Sequence, residues 1–292
     1  MGILDGKAVV ITGSGRGIGA ACAKCAARQG ASVLVNDIDA AAADETVAEI
    51  RRQGGQAITC VADVAVWEEA ERLIRSCIDA FGKIDGLVNN AGLAHVARID
   101  AFDPRAARSL VDVNVMGPLY CTAHAVRPML AQRSGSIVNV ISGAHMGLPG
   151  LGVYAASKGA VASMVYSWAL ELAGTGVRVN ALSPVAGGTG MSPADPLNQP
   201  PEANSPVVEY LLSDLSSQVN GQLLRIDRGE LHLYAHPALL LPPAVRERWS
   251  AEAIADAFAS EFKDRQVACG VMGMECLPVR IETGYWQRKQ AG

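Results

Sequence analysis

The feature that most constrains the fold is a regular alternation of short apolar runs with longer stretches of helical character. Near-continuous apolarity is typical of strands that are covered on both faces, as in a parallel sheet. The spacers, such as Asp39–Arg52 and Val66–Phe81, are long enough to be crossover helices. The sequence therefore predicts an α/β fold with a doubly wound, seven-stranded parallel sheet of the Rossmann type. The seven predicted strands are Ala8–Thr12, Ser32–Asn36, Ala57–Val61, Gly86–Asn89, Ser136–Ile141, Val177–Leu182 and Gln222–Ile226.

The chain divides into a long patterned part and a C-terminal extension. Strand-like runs continue to residue 226 without a break in composition, which predicts one domain over residues 1–229. Residues 230–292 are apolar and Pro-containing at first, and Trp249–Phe262 then has a helical pattern with Ser250 as its N-cap. We expect this extension to pack on its own domain or on a partner subunit.

Composition argues against several classes of protein. The 292 residues carry a net charge of −4, whereas a nucleic-acid-binding face normally needs a basic patch. No run of 18 apolar residues occurs, so no membrane span is predicted. The first residues do not resemble a signal peptide, and we expect a cytoplasmic location.

The seven cysteines are an odd number in a chain too long to need disulfides, and we expect them to be reduced. Cys22 and Cys25 form a Cys-x-x-Cys pair, but they lie in Ala-rich, helix-favouring sequence with no second pair at zinc spacing. Helix packing is therefore favoured over a redox or metal role, and no metal site is predicted.

A glycine-rich turn, Thr12–Gly19, lies between the first strand and a helix that begins near Ile18. Glycines allow a tight turn and a close approach to a pyrophosphate, whose charge is favourable at a helix N-terminus. A purely structural turn is the alternative. The strand–loop–helix setting favours dinucleotide binding, with Gly13 and Gly17 in the turn.

Two charged residues bear on which dinucleotide binds. Asp37 ends the second strand, where a carboxylate can bind the adenosine ribose hydroxyls and repel a 2′-phosphate. Arg16 in the glycine loop favours the opposite choice, because it can contact that phosphate. A carboxylate facing a phosphate costs more than a missing arginine contact, so NAD is favoured over NADP. Helix capping, the structural alternative for Asp37, suits Asp39 better.

A tyrosine and a lysine four residues apart mark a candidate site. Tyr154 and Lys158 share one helix face, where an ammonium is expected to lower the pKa of the phenol toward neutrality. Two ordinary surface residues are the alternative. Ser142 follows the fifth strand, where its hydroxyl can polarise a carbonyl group, and Asn89–Gly92 follows the fourth.

Together these segments resemble the short-chain dehydrogenase/reductase family of the compact type. The resemblance covers residues 5 to about 228 and implies a Rossmann-type enzyme that interconverts a secondary alcohol and a ketone with NAD(P). The motifs that carry it are Thr12–Gly19, Asp63-Val64, Asn89–Gly92, Asn114, Ser142, Tyr154-x-x-x-Lys158 and Pro184.

The resemblance also implies roles for individual residues. Tyr154 is the expected general acid/base, and Lys158 is expected to lower its pKa and bind the nicotinamide ribose. Ser142 is expected to hold the substrate oxygen, and Asn114 to support a water that links Lys158 to solvent. The residues expected to bind the cofactor are Gly13, Arg16, Gly17, Ile18, Asp37, Asp63, Val64, Asn90, Ala91, Gly92, Tyr154, Lys158, Pro184 and Thr189.

The sequence says less about the substrate. The chain has a weaker resemblance to the (3R)-hydroxyacyl-CoA dehydrogenase part of peroxisomal multifunctional enzymes, which implies an acyl-CoA or a bulky, steroid-like alcohol. A smaller secondary alcohol is equally open. His95, His145 and Met191 are candidates to border the substrate, with ordinary loop or core positions as the alternative. The Pro-rich segment 192–206 predicts a reduced, mostly irregular lid.

Two further expectations concern the whole protein. In the resembled family, helices at the positions of Asp103–Arg133 and Tyr154–Ala173 pair between subunits, which implies a homodimer or homotetramer. A non-catalytic dinucleotide sensor on the same scaffold is the alternative function. A sensor would need the glycine loop and Asp37, but not Ser142, Tyr154, Lys158 and Asn114 together.

Overall fold

The protein is described by a computed structural model over residues 2–185, 199–239 and 241–265. Its centre is an eight-stranded sheet in the order β3-β2-β1-β4-β5-β6-β7-β8. The first seven strands in the chain are parallel, and β8 is antiparallel to β7. The strands are β1 Ala8–Ile11, β2 Ser32–Asp37, β3 Gln56–Val61, β4 Gly86–Asn89, β5 Gly135–Val140, β6 Val177–Leu182, β7 Leu223–Asp227 and β8 Glu230–Leu233.

The predicted doubly wound α/β fold is confirmed, and the prediction of a seven-stranded sheet is incomplete. The chain turns back at Arg228 and Gly229, both at positive φ, and adds β8 to the edge of the sheet. All four residues of β8 are exposed, so this strand lacks the continuous apolar pattern by which the other seven were predicted. The extension therefore continues the sheet of the domain that precedes it.

Helices cover both faces of the sheet. They are α1 Gly17–Arg28, α2 Ala40–Arg52, α3 Trp67–Phe81, α4 Pro104–Val111, α5 Gly117–Gln132, α6 Gly152–Glu171, α7 Ser205–Leu212 and α8 Ala251–Ala259. Alternate residues of β1 enter opposite cores: Val10 packs on the side of α3, α5 and α6, and Val9 on the side of α1, α2 and α7. Among the described residues, no helix combines the length and apolarity that a bilayer crossing requires.

Cysteine placement agrees with the helix-packing prediction. Cys22 and Cys25 are both buried in α1 and unpaired. Burial raises the pKa of the Cys22 thiol to about 12, which leaves it protonated and poorly nucleophilic at neutral pH. Ser250 accepts a hydrogen bond from the Ala253 amide and caps α8, as predicted.

Candidate active site

The candidate residues gather where strand order reverses. Strands β1 and β4 are neighbours in the sheet. The chain goes from β1 to β2, toward the β3 edge, and from β4 to β5, toward the opposite edge. In open α/β sheets, ligands bind beyond the carboxyl ends of the strands at such a switch point. The glycine loop after β1 and the segment after β4 both lie there.

The glycine loop has the geometry that its glycines were predicted to allow. Gly13 and Gly17 have φ angles of 59° and 58°, in the left-handed region that disfavours other residues. A Cβ on Gly13 would lie 2.7 Å from the Cα of Ala91, so the loop also packs tightly against the segment after β4. Any side chain at Gly13 would force these two segments apart.

The N-terminus of α1 suits a pyrophosphate group. Helices α2, α4 and α8 begin with a side-chain cap from Asp39, Asp103 and Ser250, respectively. Helix α1, like α5, α6 and α7, has no side-chain cap and no acidic residue in its first turn, and it directly follows the glycine loop, so its first amides can bind a ligand. These amides and the helix dipole favour an anion, and the loop residues therefore fit a dinucleotide.

Asp37 and Arg16, the two charged residues at this loop, have different partners: backbone amides for Asp37 and a carboxylate for Arg16. The Asp37 carboxylate accepts hydrogen bonds from the amides of Gly15 at 3.0 Å and Asp39 at 3.1 Å. Arg16 forms an ion pair with Asp39, which also caps α2. Sequence reasoning assigned the cap to Asp39 correctly, but it did not foresee that Asp39 also engages Arg16.

The segment after β4 is tied to the glycine loop by an amide side chain and a hydroxyl. The side-chain amide of Asn90 donates to the carbonyl oxygens of Thr12 at 2.9 Å and Gly13 at 2.8 Å. In return, the Thr12 hydroxyl accepts from the amides of Asn90 and Ala91, both at 3.0 Å. Asn90 therefore holds the loop in shape, and Ala91 and Gly92 continue from it toward Lys158.

Asp63 and Val64 lie after β3. The carboxylate of Asp63 accepts from the Ala65 amide at 2.9 Å, and the Asp63 amide donates to Glu69 at 2.7 Å. The side chain of Val64 is buried against Gly117, where an added Cβ would lie 2.8 Å from it. A contact from Val64 to a nucleotide would therefore come from its backbone.

Tyr154, Lys158 and Ser142 are brought together at the start of α6 and the end of β5. The Ser142 hydroxyl lies close enough to the Tyr154 phenol to lower its pKa in part. The Lys158 ammonium lies 5.8 Å from the centroid of the Tyr154 ring, and it donates to the carbonyl oxygen of Val140 at 2.8 Å. The i, i+4 spacing thus places both side chains on one helix face, as predicted.

The expected lowering of the Tyr154 pKa does not occur in this arrangement. Burial raises the pKa of Tyr154 above its ordinary value, and the nearby Ser142 hydroxyl only partly opposes that effect. The same burial lowers the pKa of Lys158 to about 8. The Lys158 ammonium lies over the ring of Tyr154 and donates its hydrogen bond to the Val140 carbonyl rather than to the phenol oxygen. This explains why its charge does not lower the pKa of Tyr154.

Asn114 occupies an irregular turn that the sequence did not reveal. Residues Asp112–Met116 form a π-helical turn between α4 and α5, a feature often found at functional sites. The buried Asn114 side chain accepts from the Leu93 amide at 2.7 Å, and it donates to the Leu93 carbonyl at 2.9 Å and to Ser157 at 3.1 Å. It therefore joins the segment after β4 to α6, next to Lys158.

Asn204 holds the segment after β6, and sequence reasoning missed it. Its buried side chain accepts from the Val185 amide at 3.2 Å and donates to the Val185 carbonyl at 3.0 Å, just after Pro184. Asn204 and Val185 are 19 residues apart in the sequence, and no motif links them.

Thr189 and Met191 lie outside the described residues, as does 192–198 of the predicted lid. Residues Pro201–Asn204 form a 3-10 turn before α7.

The two candidate histidines differ in their contacts. His145 directs its Nδ1 at the carbonyl oxygen of Ser142, 2.5 Å away, in a 3-10 turn that Ser142 caps. His95 is half-buried, and its Nε2 is buried without a hydrogen-bond partner among the described atoms. His145 is thus linked directly to the site, whereas His95 forms no hydrogen bond to it in the described part of the chain.

Comparison with known proteins agrees with this geometry. The chain is 36% identical to a 3-oxoacyl-[acyl-carrier-protein] reductase of Synechocystis, over 78% of this chain and 98% of that protein. It is 32% identical to the (2S)-[(R)-hydroxy(phenyl)methyl]succinyl-CoA dehydrogenase subunit BbsD of Thauera aromatica, over 78% and 98%. A crystal structure of a short chain dehydrogenase from Mycobacterium avium superposes with a TM-score of 0.84, at 30% identity, and covers 94% of this chain and 100% of that one. The short chain dehydrogenase family profile matches residues 7–199, and this chain is therefore an oxidoreductase of the short-chain dehydrogenase/reductase family.

Proposed function

We propose that this protein is an NAD-dependent dehydrogenase/reductase that interconverts a secondary alcohol and a ketone. The observation that carries the proposal is the joint placement of Ser142, Tyr154 and Lys158 at the sheet edge where the uncapped α1 begins. A non-catalytic sensor would need only the glycine loop and Asp37. The proximity of the Ser142 hydroxyl to the Tyr154 phenol, with the buried Lys158 over the ring, supports an enzyme instead.

The residues have complementary tasks in this proposal. In the oxidation direction, the Tyr154 oxygen accepts the proton of the substrate hydroxyl, and the Ser142 hydroxyl holds the substrate oxygen. In reduction, Tyr154 returns the proton. Lys158 would bind the ribose next to the nicotinamide. A bound nicotinamide supplies the hydride acceptor or donor, and the protein provides orientation.

Cofactor binding is assigned to the loops on both sides of the switch point. The amides at the start of α1 would hold the pyrophosphate, and Asp37 would accept hydrogen bonds from the adenosine ribose. Asp37 also supports NAD over NADP, because its carboxylate would repel a 2′-phosphate. The pairing of Arg16 with Asp39 adds support, since it reduces the positive charge that Arg16 offers to such a phosphate.

A lipophilic substrate, with a carbon skeleton larger than that of a simple alcohol, is supported by an apolar surface next to the N-terminus of α6. An apolar cavity of about 280 Å³ lies between the segment after β4 and the turn that precedes α6. Its lining includes Ile99, Phe102, Leu148 and Val153, of which Ile99 is 84% exposed. The relatives whose names specify acyl-carrier-protein or CoA thioesters make a hydroxyacyl thioester our first candidate.

Assembly and location complete the proposal. We place the protein in the cytoplasm, because Cys22, Cys25, Cys60, Cys77 and Cys121 are buried and unpaired, as expected for reduced thiols. A homodimer or homotetramer formed through α5 and α6 is supported by apolar side chains that remain exposed on or near these helices, including Leu130 and Leu170.

The test is NADH formation by the purified chain with a panel of secondary alcohols. The panel contains 3-hydroxyacyl-CoA esters of increasing chain length, a cyclic alcohol and 2-propanol, each with NAD⁺ and with NADP⁺. We expect turnover with NAD⁺ that improves with the size of the apolar group. Tight NADH binding without turnover of any alcohol or ketone would support a sensor and overturn the proposal.

A further inference from the structure

The C-terminal extension supplies one aromatic side chain to the candidate active site. Tyr234 follows β8, and its amide donates to the carbonyl oxygen of Leu223 in β7 at 3.0 Å. Its hydroxyl lies 2.8 Å from the hydroxyl oxygen of Ser183, which is fully buried. Tyr234 is therefore fixed at both ends, by its backbone and by its phenol group.

The ring of Tyr234 also contacts the turn that holds Ser142. Its centroid lies 5.4 Å from that of the His145 ring, with the two planes tilted by 46°. His145 donates to the Ser142 carbonyl through both its backbone amide, at 3.2 Å, and its Nδ1, at 2.5 Å. A carbonyl oxygen only accepts, so the proton of neutral His145 lies on Nδ1.

These contacts connect two loops that otherwise belong to different strands. Through His145, Tyr234 contacts the turn after β5, where Ser142 faces Tyr154. Through Ser183, it contacts the segment after β6, immediately before Pro184. The family resemblance implies that Ser142 holds the substrate oxygen and that Pro184 contacts the nicotinamide end of the cofactor, so one residue of the extension adjoins both proposed binding sites.

We propose that Tyr234 is a positioning residue for the reaction, which makes residues 230–234 a working part of the active site. The hydroxyl fixes Ser183 and hence the start of the nicotinamide-binding segment. The ring fixes His145 and hence the orientation of Ser142. This inference rests on the proposed function for its kinetic consequences, but the His145 geometry can be measured without turnover.

The two halves of the proposal are separated by two substitutions. Tyr234→Phe keeps the ring on His145 and removes the hydrogen bond to Ser183, and we expect KM for NAD⁺ to rise about threefold with kcat nearly unchanged. Tyr234→Leu also removes the ring, and we expect kcat to fall by an additional factor of about ten, because Ser142 loses its fixed orientation. A structural role alone would not divide KM and kcat in this way.

A matched control is available in the same extension. His236 makes the other aromatic contact of the described extension with the domain, 4.6 Å from the ring of Tyr166 in α6, far along the helix from Tyr154. His236→Ala therefore removes a second contact between the extension and the domain without touching either loop. We expect this variant to keep both kinetic constants within twofold of the wild type. Equal losses in Tyr234→Leu and His236→Ala would overturn the proposal.

A second measurement covers inactive or unstable variants. The ¹⁵N spectrum of the imidazoles, with His145 assigned through His145→Asn, should show the proton of His145 on Nδ1 in the wild type and in Tyr234→Phe. Tyr234→Leu should show a mixture of tautomers, and an unchanged signal would overturn the role of the ring.

If Tyr234→Leu does not fold, Tyr234→Phe and Ser183→Ala still test the hydrogen bond between the two hydroxyls. Their effects on KM must not add in the double variant, and additive effects would contradict the role of this hydrogen bond. Failure of the proposed function would appear differently, as absent turnover in the wild type with the tautomer intact.

Discussion

At the residue scale, the least expected property of the site is a buried lysine with a single hydrogen bond to the described residues. Lys158 is 4% exposed, and its ammonium donates to the Val140 carbonyl. Burial lowers the pKa of Lys158 from 10.5 to about 8. The protonated form is thus kept inside the protein at a cost in stability, which is consistent with a group retained for its function.

This cost should be visible as a dependence of stability on pH. Between pH 8 and 10.5, the unfolded chain binds a proton at Lys158 that the folded chain has released, so folding becomes more favourable as pH rises. Relative to Lys158→Met, the wild type should gain about 2–3 kcal/mol in unfolding free energy from pH 7 to pH 10. Urea denaturation of both proteins across this range measures the shift.

The control for this measurement is Lys24→Met. Lys24 is partly exposed and pairs with Glu49 on the surface, so its removal should change the unfolding free energy by a similar amount at each pH. If the unfolding free energies of the wild type and Lys158→Met differed by a constant amount from pH 7 to pH 10, Lys158 would not release its proton on folding at these pH values.

At the scale of elements, the first βαβ unit carries the choice of cofactor. Asp37 ends β2, and Asp39 two residues later both caps α2 and pairs with Arg16. The two carboxylates therefore act against a 2′-phosphate in different ways. Asp37 would repel it directly, and Asp39 engages the arginine that would otherwise attract it.

Exchange of these carboxylates should change the cofactor preference in two steps. Asp37→Ser should lower kcat/KM with NAD⁺ and raise it with NADP⁺, a change of about a hundredfold in the ratio, because one close charge repulsion is removed. Adding Asp39→Asn should raise kcat/KM with NADP⁺ further, since asparagine keeps the cap of α2 but removes the charge that pairs with Arg16. Initial rates with both cofactors measure the ratio. An unchanged ratio in the double variant would contradict the assignment of this unit to the adenosine ribose.

The sequence was most informative about these elements where apolar patterning is strong. Seven strands and the cap at Asp39 follow from local pattern and chemistry, because buried strands and helix starts impose both. The four exposed residues of β8 carry no such pattern, and its pairing depends on a reversal at Arg228 and Gly229. The contacts of Asn204 with Val185 and of Tyr234 with Ser183 join residues distant in sequence, so only the folded chain reveals them.

At the scale of the whole molecule, exposed apolar side chains are where we propose that copies of the chain meet. Leu170 near the end of α6 is 80% exposed, and Leu130 near the end of α5 is 39% exposed. Large apolar residues on a helix surface favour association, because their burial removes apolar area from water. This supports the homodimer or homotetramer that the family resemblance implies.

A single charge should therefore weaken assembly. Leu170→Glu places a carboxylate in the proposed subunit contact, and we expect the mass measured by light scattering to fall by at least one oligomeric step. Ile38→Glu is the control, because Ile38 is 73% exposed just after β2, and three strands separate β2 from β6, which packs on α6. A monomeric wild type, or an equal loss of mass in the control, would contradict this interface.

The central claim is that Tyr154 transfers the proton during alcohol oxidation. The most direct measurement is the rate of NADH formation by Tyr154→Phe and by the wild type on the best substrate of the panel, with NADH binding followed by fluorescence. We expect kcat to fall by about a hundredfold or more, because a positioned acid/base contributes that much, while NADH still binds. Full activity of Tyr154→Phe on a substrate that the wild type oxidises would contradict the account.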